Sequence, residues 1–207
     1  MKKEIILSDF DGTLTTRDTM LDIIRFRHGT AGLLLALLRL LPWLVMMKLH
    51  LYPNGKAKAR LLRLCFGDLT AADFRLFAQD YAARHAHLLR PGLLQHLLEA
   101  QADGTTVIVV TASPVEWVKW FVPQFTVLGT ALEFDEKGFT GRLASPNCYG
   151  KEKVSRLTRL MPELTTQRDA FHITAYGDSR GDREMLAFAD EAHVVRKNDW
   201  MSLMQTR

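Results

Sequence analysis

Cysteine is scarce in this chain: Cys65 and Cys148 are the only two among 207 residues. Their spacing matches no metal-ligand pattern, and two thiols make no disulfide framework. A reducing compartment and two buried thiols are therefore expected. A long apolar leader is also missing. The run Ile5-Ile6-Leu7 stops at Ser8 and Asp9, too short for a signal peptide, which predicts a mature chain starting at Met1 in the cytoplasm. No internal repeat or low-complexity linker interrupts the sequence. The basic excess is small, with a net charge of +4 and a pI of about 9.2. That falls short of a nucleic-acid-binding signature and suits anionic small molecules or an anionic membrane surface. With 47% hydrophobic and 24% charged residues, the chain can bury one sizeable core, with room for a modest inserted subdomain. Its oligomeric state is not legible.

What is present is a set of short apolar runs, each ending in polar residues. Residues 4–9 read as a first strand, and "TTVIVVTAS" (105–113) as a second, buried on both faces. A helix fits 114–121, two short strands around a turn fit 130–143, and a helix fits 151–160. "FHITAYGD" is a third buried strand, followed by a helix in "RGDREMLAFA" and a last strand in "HVVRK". Strands alternating with helices predict an α/β fold with a mostly parallel sheet. Residues 17–95 break that rhythm: they are leucine-rich, helical in pattern and without a convincing strand. They read as an all-helical insertion, leaving 1–16 and 96–207 as the core.

The polar strand ends carry the chemistry. In an open α/β sheet, ligands bind beyond the carboxyl ends of the strands. Asp9 and Asp11 follow the first strand, Thr111 and Ser113 the second, and Asp178 and Asp182 the third, while Lys151 opens a helix between the last two. Two carboxylates at i and i+2 on one strand end repel unless a cation or a proton offsets them. An all-oxygen acidic cluster suits Mg²⁺, which favours carboxylates together with substrate phosphate. One carboxylate could then attack phosphorus while a second passes protons. The Gly12 turn, a hydroxyl and a lysine would hold the phosphoryl oxygens.

"DFDGTLT", "TAS", "GKEKV" and "GDSRGDREML" together resemble the four motifs of the haloacid dehalogenase superfamily, in the right order and across most of the chain. The branch most similar is the phosphoserine phosphatase-like one, with a helical cap between the first two motifs. The resemblance implies a Rossmann-like three-layer sandwich plus cap. It implies an aspartyl-phosphate mechanism with Asp9 as nucleophile and Asp11 as general acid/base. Thr111 and Lys151 would bind the phosphoryl group, with Lys151 preferred over its neighbour Lys153. Asp9, Asp178 and the Asp11 carbonyl would ligate Mg²⁺, with Asp182 supporting from behind. An acid at position 11 favours phosphoester hydrolysis over dehalogenation. Asp18 matches a substrate-binding glutamate of phosphoserine phosphatases, although it is shorter.

The cap leaves the substrate open. Arg60 and Arg63, with Lys56 and Lys58, could attract a second anionic group. Residues 31–52 hold ten leucines in 22 residues, yet Arg39 near the centre costs roughly 2.5–3.5 kcal/mol in a bilayer, and two crossings would need about 40 residues. The stretch therefore reads either as two short helices broken at Pro42 and packed inside the cap, or as an interfacial segment lying on a membrane. The second reading resembles phosphatidylglycerophosphatase C and implies a phospholipid phosphate. The first implies a small soluble phosphate ester such as phosphoserine. A non-catalytic module that binds membrane or a partner through this cap is the alternative of another class.

Overall fold

Ile5, Ile6 and Leu7 are apolar in succession because β1 (Lys3–Ser8) runs down the middle of a sheet covered on both faces. The computed structural model describes residues 2–196. Its main sheet is fully parallel, with β3 (Thr126–Thr130), β2 (Thr106–Pro114), β1, β6 (Phe171–Gly177) and β7 (Glu191–Val194) side by side in that order. From β1 the chain builds outward through β2 and β3, then returns to the other side of β1 with β6 and β7. Asp9 thus stands where the winding direction reverses, the place where such sheets open a crevice. The expected strands and the three-layer architecture are present. β3, a five-residue edge strand, is an addition, and the expected last strand reaches Lys197, which lies outside the described residues.

One face of the sheet is covered by α4 (Pro91–Ala102), α5 (Val115–Phe121) and the helical block, through a core that includes Phe10, Trp117 and Phe121. The other is covered by α6 (Lys151–Leu160), α7 (Glu163–Thr166) and α8 (Arg183–Phe188) around Leu157, Leu164 and Met185. The helical block consists of α1 (Thr19–Lys48), α2 (Asn54–Phe66) and α3 (Ala71–Arg84). It leaves and rejoins the core through one antiparallel contact: Thr15 bridges Leu89, the Thr16 N–H donates to the Leu88 carbonyl at 2.9 Å, and the Arg90 N–H donates to that of Leu14 at 2.8 Å. The return thus falls at residues 88–90, and the expected boundary at 95 lies inside α4. A hairpin of β4 (Leu132–Asp135) and β5 (Gly138–Leu143) packs on α2, with the Phe139 N–H donating to the Leu69 carbonyl at 3.2 Å.

Residues 31–52 are not two helices broken at Pro42. Helical dihedrals run through that proline, and the break in α1 comes at Gly29, whose φ of 70° is open to glycine at little cost. Nor are all the leucines packed inside the cap: Leu33, Leu37 and Leu44 pack against the core, but others do not. Ala36 and Leu40 are buried, but Leu34, Leu35, Leu38, Leu41 and Val45 are exposed.

Candidate active site

The ends of β2, β1 and β6 bring Thr111, Asp9 and Asp178 to one edge of the sheet. A wide turn over Phe10–Leu14 follows β1, closed by the Thr15 N–H donating to the Phe10 carbonyl at 2.8 Å. Gly12 has φ +81°, and a Cβ there would stand 2.1 Å from an Asp178 carboxylate oxygen. Only glycine satisfies both the backbone angle and that close approach. The Gly12 N–H faces Thr15 Oγ1 at 3.3 Å.

The lysine of the site is Lys153, and the preference for Lys151 is corrected. Lys151 is exposed on the first turn of α6, whereas Lys153 is 1% exposed. Its Nζ donates to Asp9 Oδ1 at 2.5 Å, to Asp182 Oδ1 at 2.6 Å and to the Val110 carbonyl at 2.6 Å, which engages all three protons. Two residues along a helix turn a side chain by about 200°. Lys153 shares its face with Leu157, four residues on and buried against the sheet. That i, i+4 relation to the apolar face was the signal available in the sequence. Burial opposes the lysine's charge, but the Asp9 and Asp182 carboxylates outweigh it and hold its pKa above the ordinary lysine range.

The aspartates differ in their surroundings. Asp9 is buried, and burial, assisted by the charges of Asp182 and Asp11, raises its pKa to about 7 against the pull of Lys153. Asp11 turns away from this cluster. Its Oδ1 accepts from the Thr19 N–H and hydroxyl, each at 2.6 Å, and its Oδ2 accepts from the Ser113 hydroxyl. Thr19 opens α1 and is itself approached by Trp117 Nε1 at 3.1 Å, so the first turn of the helical block orients the Asp11 carboxyl. Burial and the charge of Asp18 raise the Asp11 pKa, against the hydrogen bonds from Ser113 and Thr19. Burial and Asp182 raise Asp178 to about 6. Asp182 accepts from Lys153 on one oxygen and from the Ser179 N–H and hydroxyl on the other, at 2.9 and 2.8 Å.

Carboxylate oxygens of Asp9, Asp178 and Asp182 lie within 4.8 Å of one another. The donor set is all oxygen and anionic, which fits a hard divalent cation such as Mg²⁺. Because Lys153 and Ser179 already engage Asp182, Asp9 and Asp178 have the oxygens to spare. The Asp11 carboxylate is outside this group.

The remaining expected residues divide. Thr111 is buried at the edge, where its hydroxyl accepts from the Ser113 N–H at 3.0 Å. Asp18 is exposed and caps α1, accepting from the Leu21 N–H at 3.1 Å. Arg60 lies over the Trp43 ring at 4.5 Å and lines, with Lys56, Arg63 and Arg142, a groove of about 670 Å³ between α2 and β5. From that basic cluster, Lys58 is the side chain directed toward the catalytic edge. It is buried and donates to the Ala112 carbonyl at 2.7 Å and to Asn147 Oδ1 at 2.8 Å, and burial lowers its pKa to about 8. Its place between Thr111 and Ser113 had no separate signal, since four cations alternate in "KAKARLLR".

The chain matches the family model of the haloacid dehalogenase-like hydrolases over residues 6–187. It is 35% identical over 195 residues to Protein CicA of Caulobacter vibrioides, covering 90% of this chain and 83% of that one. Among solved structures, it is similar to a protein of unknown function from Bordetella pertussis Tohama I (TM-score 0.76, 17% identity, 94% and 90% of the two chains covered). It also resembles a phospho-aspartyl intermediate analogue of phosphoserine phosphatase (TM-score 0.63, 17% identity, 94% and 87% covered) and a substrate-bound phosphoserine phosphatase (TM-score 0.64, 15% identity, both chains fully covered).

Proposed function

Because this chain belongs to the haloacid dehalogenase-like hydrolases, we propose that it is a Mg²⁺-dependent phosphomonoester hydrolase acting on a small phosphate ester through an aspartyl-phosphate on Asp9. The observation that carries this reading is the division of labour between the two aspartates after β1. Asp9 is ion-paired to Lys153, whose charge works against the burial that raises the Asp9 pKa to about 7 and so helps form the carboxylate needed for attack. Asp11 sits apart, in hydrogen bonds to Thr19 and Ser113 and with a raised pKa, which suits an acid. The fold likeness to phosphoserine phosphatases supports the same reading.

In this mechanism a carboxylate oxygen of Asp9 attacks phosphorus and the ester P–O bond breaks. The departing alkoxide takes the Asp11 proton. Asp11, now a base, deprotonates a water that attacks the acyl phosphate, releasing inorganic phosphate and restoring Asp9. Thr111 holds a phosphoryl oxygen, and Lys153, taking the part first assigned to Lys151, exchanges its bond to Asp9 for one to the phosphoryl group as Asp9 attacks. The Gly12 N–H joins them by leaving Thr15 Oγ1. Asp9, Asp178 and the Asp11 backbone carbonyl would hold Mg²⁺, which would supply charge neutralisation to the phosphoryl group. Asp182 keeps Lys153 and the Ser179 turn in place. The cap closes the site, with Lys58 tying α2 to the Ala112 carbonyl beside Thr111.

The test is Mg²⁺-dependent phosphate release across phosphoserine, phosphoethanolamine, a sugar phosphate, an aryl phosphate and phosphatidylglycerol phosphate in detergent. Turnover of at least one ester, lost in Asp9→Asn, is the expected result, and the preferred member identifies the leaving group. Silence on every member with metal present would assign the chain to non-catalytic binding instead.

A further inference from the structure

The helix that follows Gly29 exposes apolar residues that nothing else among the described residues covers. Leu34, Leu38, Leu41 and Val45 recur at intervals of four and three, so they share one stripe, widened by Leu35 and continued by Leu49 and Leu51 beyond the helix end. Leu38 is 64% exposed and Leu51 is 74% exposed. Only 11% of the most apolar 18-residue window in α1 is buried. A continuous exposed apolar face of this kind is uncommon on a soluble domain and marks an interaction surface.

Charge identifies what covers it. Between Asp22 and Asp68 the chain carries no aspartate or glutamate, but it carries eight lysines and arginines. Arg25 and Arg27 are paired to Asp22 and Asp68, Arg63 donates to backbone carbonyls, and Lys58 is buried. Among the described residues, Arg39 and Lys48 of α1 have no acidic partner, and both are exposed on the helix that carries the stripe. Lys56 and Arg60 of α2 have none either, and they line the groove against β5. A second copy of this chain would bring Arg39 and Lys48 against their own counterparts with no carboxylate of that segment to meet them. A surface that is apolar inside and anionic outside satisfies both features.

We propose that the outer face of residues 30–51 docks the protein in-plane on a lipid bilayer bearing anionic headgroups. The helix lies on the membrane and does not cross it, because both of its ends are tied to the same body. Its start is held by Asp11 through Thr19, and the following helix α2 is held to the Ala112 carbonyl through Lys58. The buried side, Ala36 and Leu40 with Trp43 half-buried, packs on the cap and leaves the leucine stripe facing away. The docked end also reaches the catalytic edge. Met47, Leu51 and Tyr52 line a cavity of about 510 Å³ with Tyr149, whose ring packs on Gly181 of the loop between Asp178 and Asp182. This surface stands independently of the chemistry proposed for Asp9.

The experiment is co-sedimentation of the full chain with vesicles of phosphatidylcholine alone or with about one third phosphatidylglycerol, at low and at high salt, beside size-exclusion chromatography without lipid. Wild type is expected to pellet with the anionic vesicles at low salt and to be released at least tenfold by high salt or by omitting phosphatidylglycerol. Leu34→Glu/Leu38→Glu/Leu41→Glu is expected to lose vesicle binding at least tenfold while its thermal unfolding stays cooperative and at the wild-type temperature. Arg39→Gln/Lys48→Gln is expected to lose the salt-sensitive part alone. Absence of wild-type binding to anionic vesicles at low salt overturns the proposal, as does equal binding by the triple variant. A dimer that the triple variant dissociates, without vesicle binding, assigns the face to a second copy instead.

Discussion

The carboxyl edge of the sheet and the outer face of α1 invert the ordinary partition of residues in opposite ways. At the edge, charges are inside: Asp9, Lys153 and Asp182 are almost completely buried. Along α1, leucines are outside. Each inversion costs free energy in an isolated chain, and each is compensated differently. The buried charges compensate one another through short hydrogen bonds and leave room for a cation. The exposed leucines have no partner among the described residues. The difference teaches that buried charges can find their partners within the chain, whereas the described residues supply none for the exposed leucines.

The comparison breaks most sharply at Asp9. Asp9→Asn should lower phosphate release by about 10³-fold or more while leaving a cooperatively folded protein. Activity retained in that variant, measured under single turnover with Mg²⁺, would remove the nucleophile from the mechanism.

The two buried lysines sharpen it next. Lys153→Met strands two buried carboxylates and should cost about 3–5 kcal/mol of stability. Lys58→Met removes one donor from the Ala112 carbonyl and one from Asn147 Oδ1, both of which the Thr130 hydroxyl also reaches, and should cost about 1–3 kcal/mol. Lys151→Met, on the exposed side of α6, should stay within roughly 0.5 kcal/mol. Urea unfolding of the three variants ranks them, and a Lys151 variant as damaging as the Lys153 one would refute the placement of α6. Gly12→Ala, which forces a Cβ toward Asp178 at a positive φ, should cost about 1–3 kcal/mol.

A smaller effect follows from pH. Folded Asp9 keeps its proton to about pH 7, against about 3.8 in an ordinary carboxyl, so the folded chain binds more protons between those values. The stability this confers is complete below the unfolded pKa and is lost as pH rises through the folded one. Asp178 acts in the same sense up to about 6. In the presence of a chelator, the melting temperature should therefore decline from about pH 5 to about pH 8, and Asp9→Asn should flatten that decline. Excess Mg²⁺ should raise the melting temperature more at the upper pH than at the lower. A wild-type profile that Asp9→Asn leaves unchanged would show that Asp9 titrates normally.

Much of this was legible without coordinates. Strands β1, β2 and β6 announce themselves as apolar runs because a strand buried on both faces has no polar side. Topology then requires their polar ends to meet, which is why Asp9, Asp11, Thr111, Asp178 and Asp182 could be grouped although about 170 residues separate the first from the last. The short edge strand β3 was not legible, since "TVLGT" has no buried face long enough to read.

The sequence by itself determined which residue types could meet at the sheet edge, because alternation and apolar runs are local properties of the chain. Tertiary structure decided which lysine enters, because the i, i+4 relation of Lys153 to Leu157 becomes decisive only when the sheet covers that face of α6. It alone decided that Asp18 caps α1 while its charge raises the Asp11 pKa. It alone decided which of the ten leucines pack on the core and which point outward, since the same run could fill a core or coat a surface. Composition sets how much apolar area a helix has, and only packing sets which neighbour removes it from water.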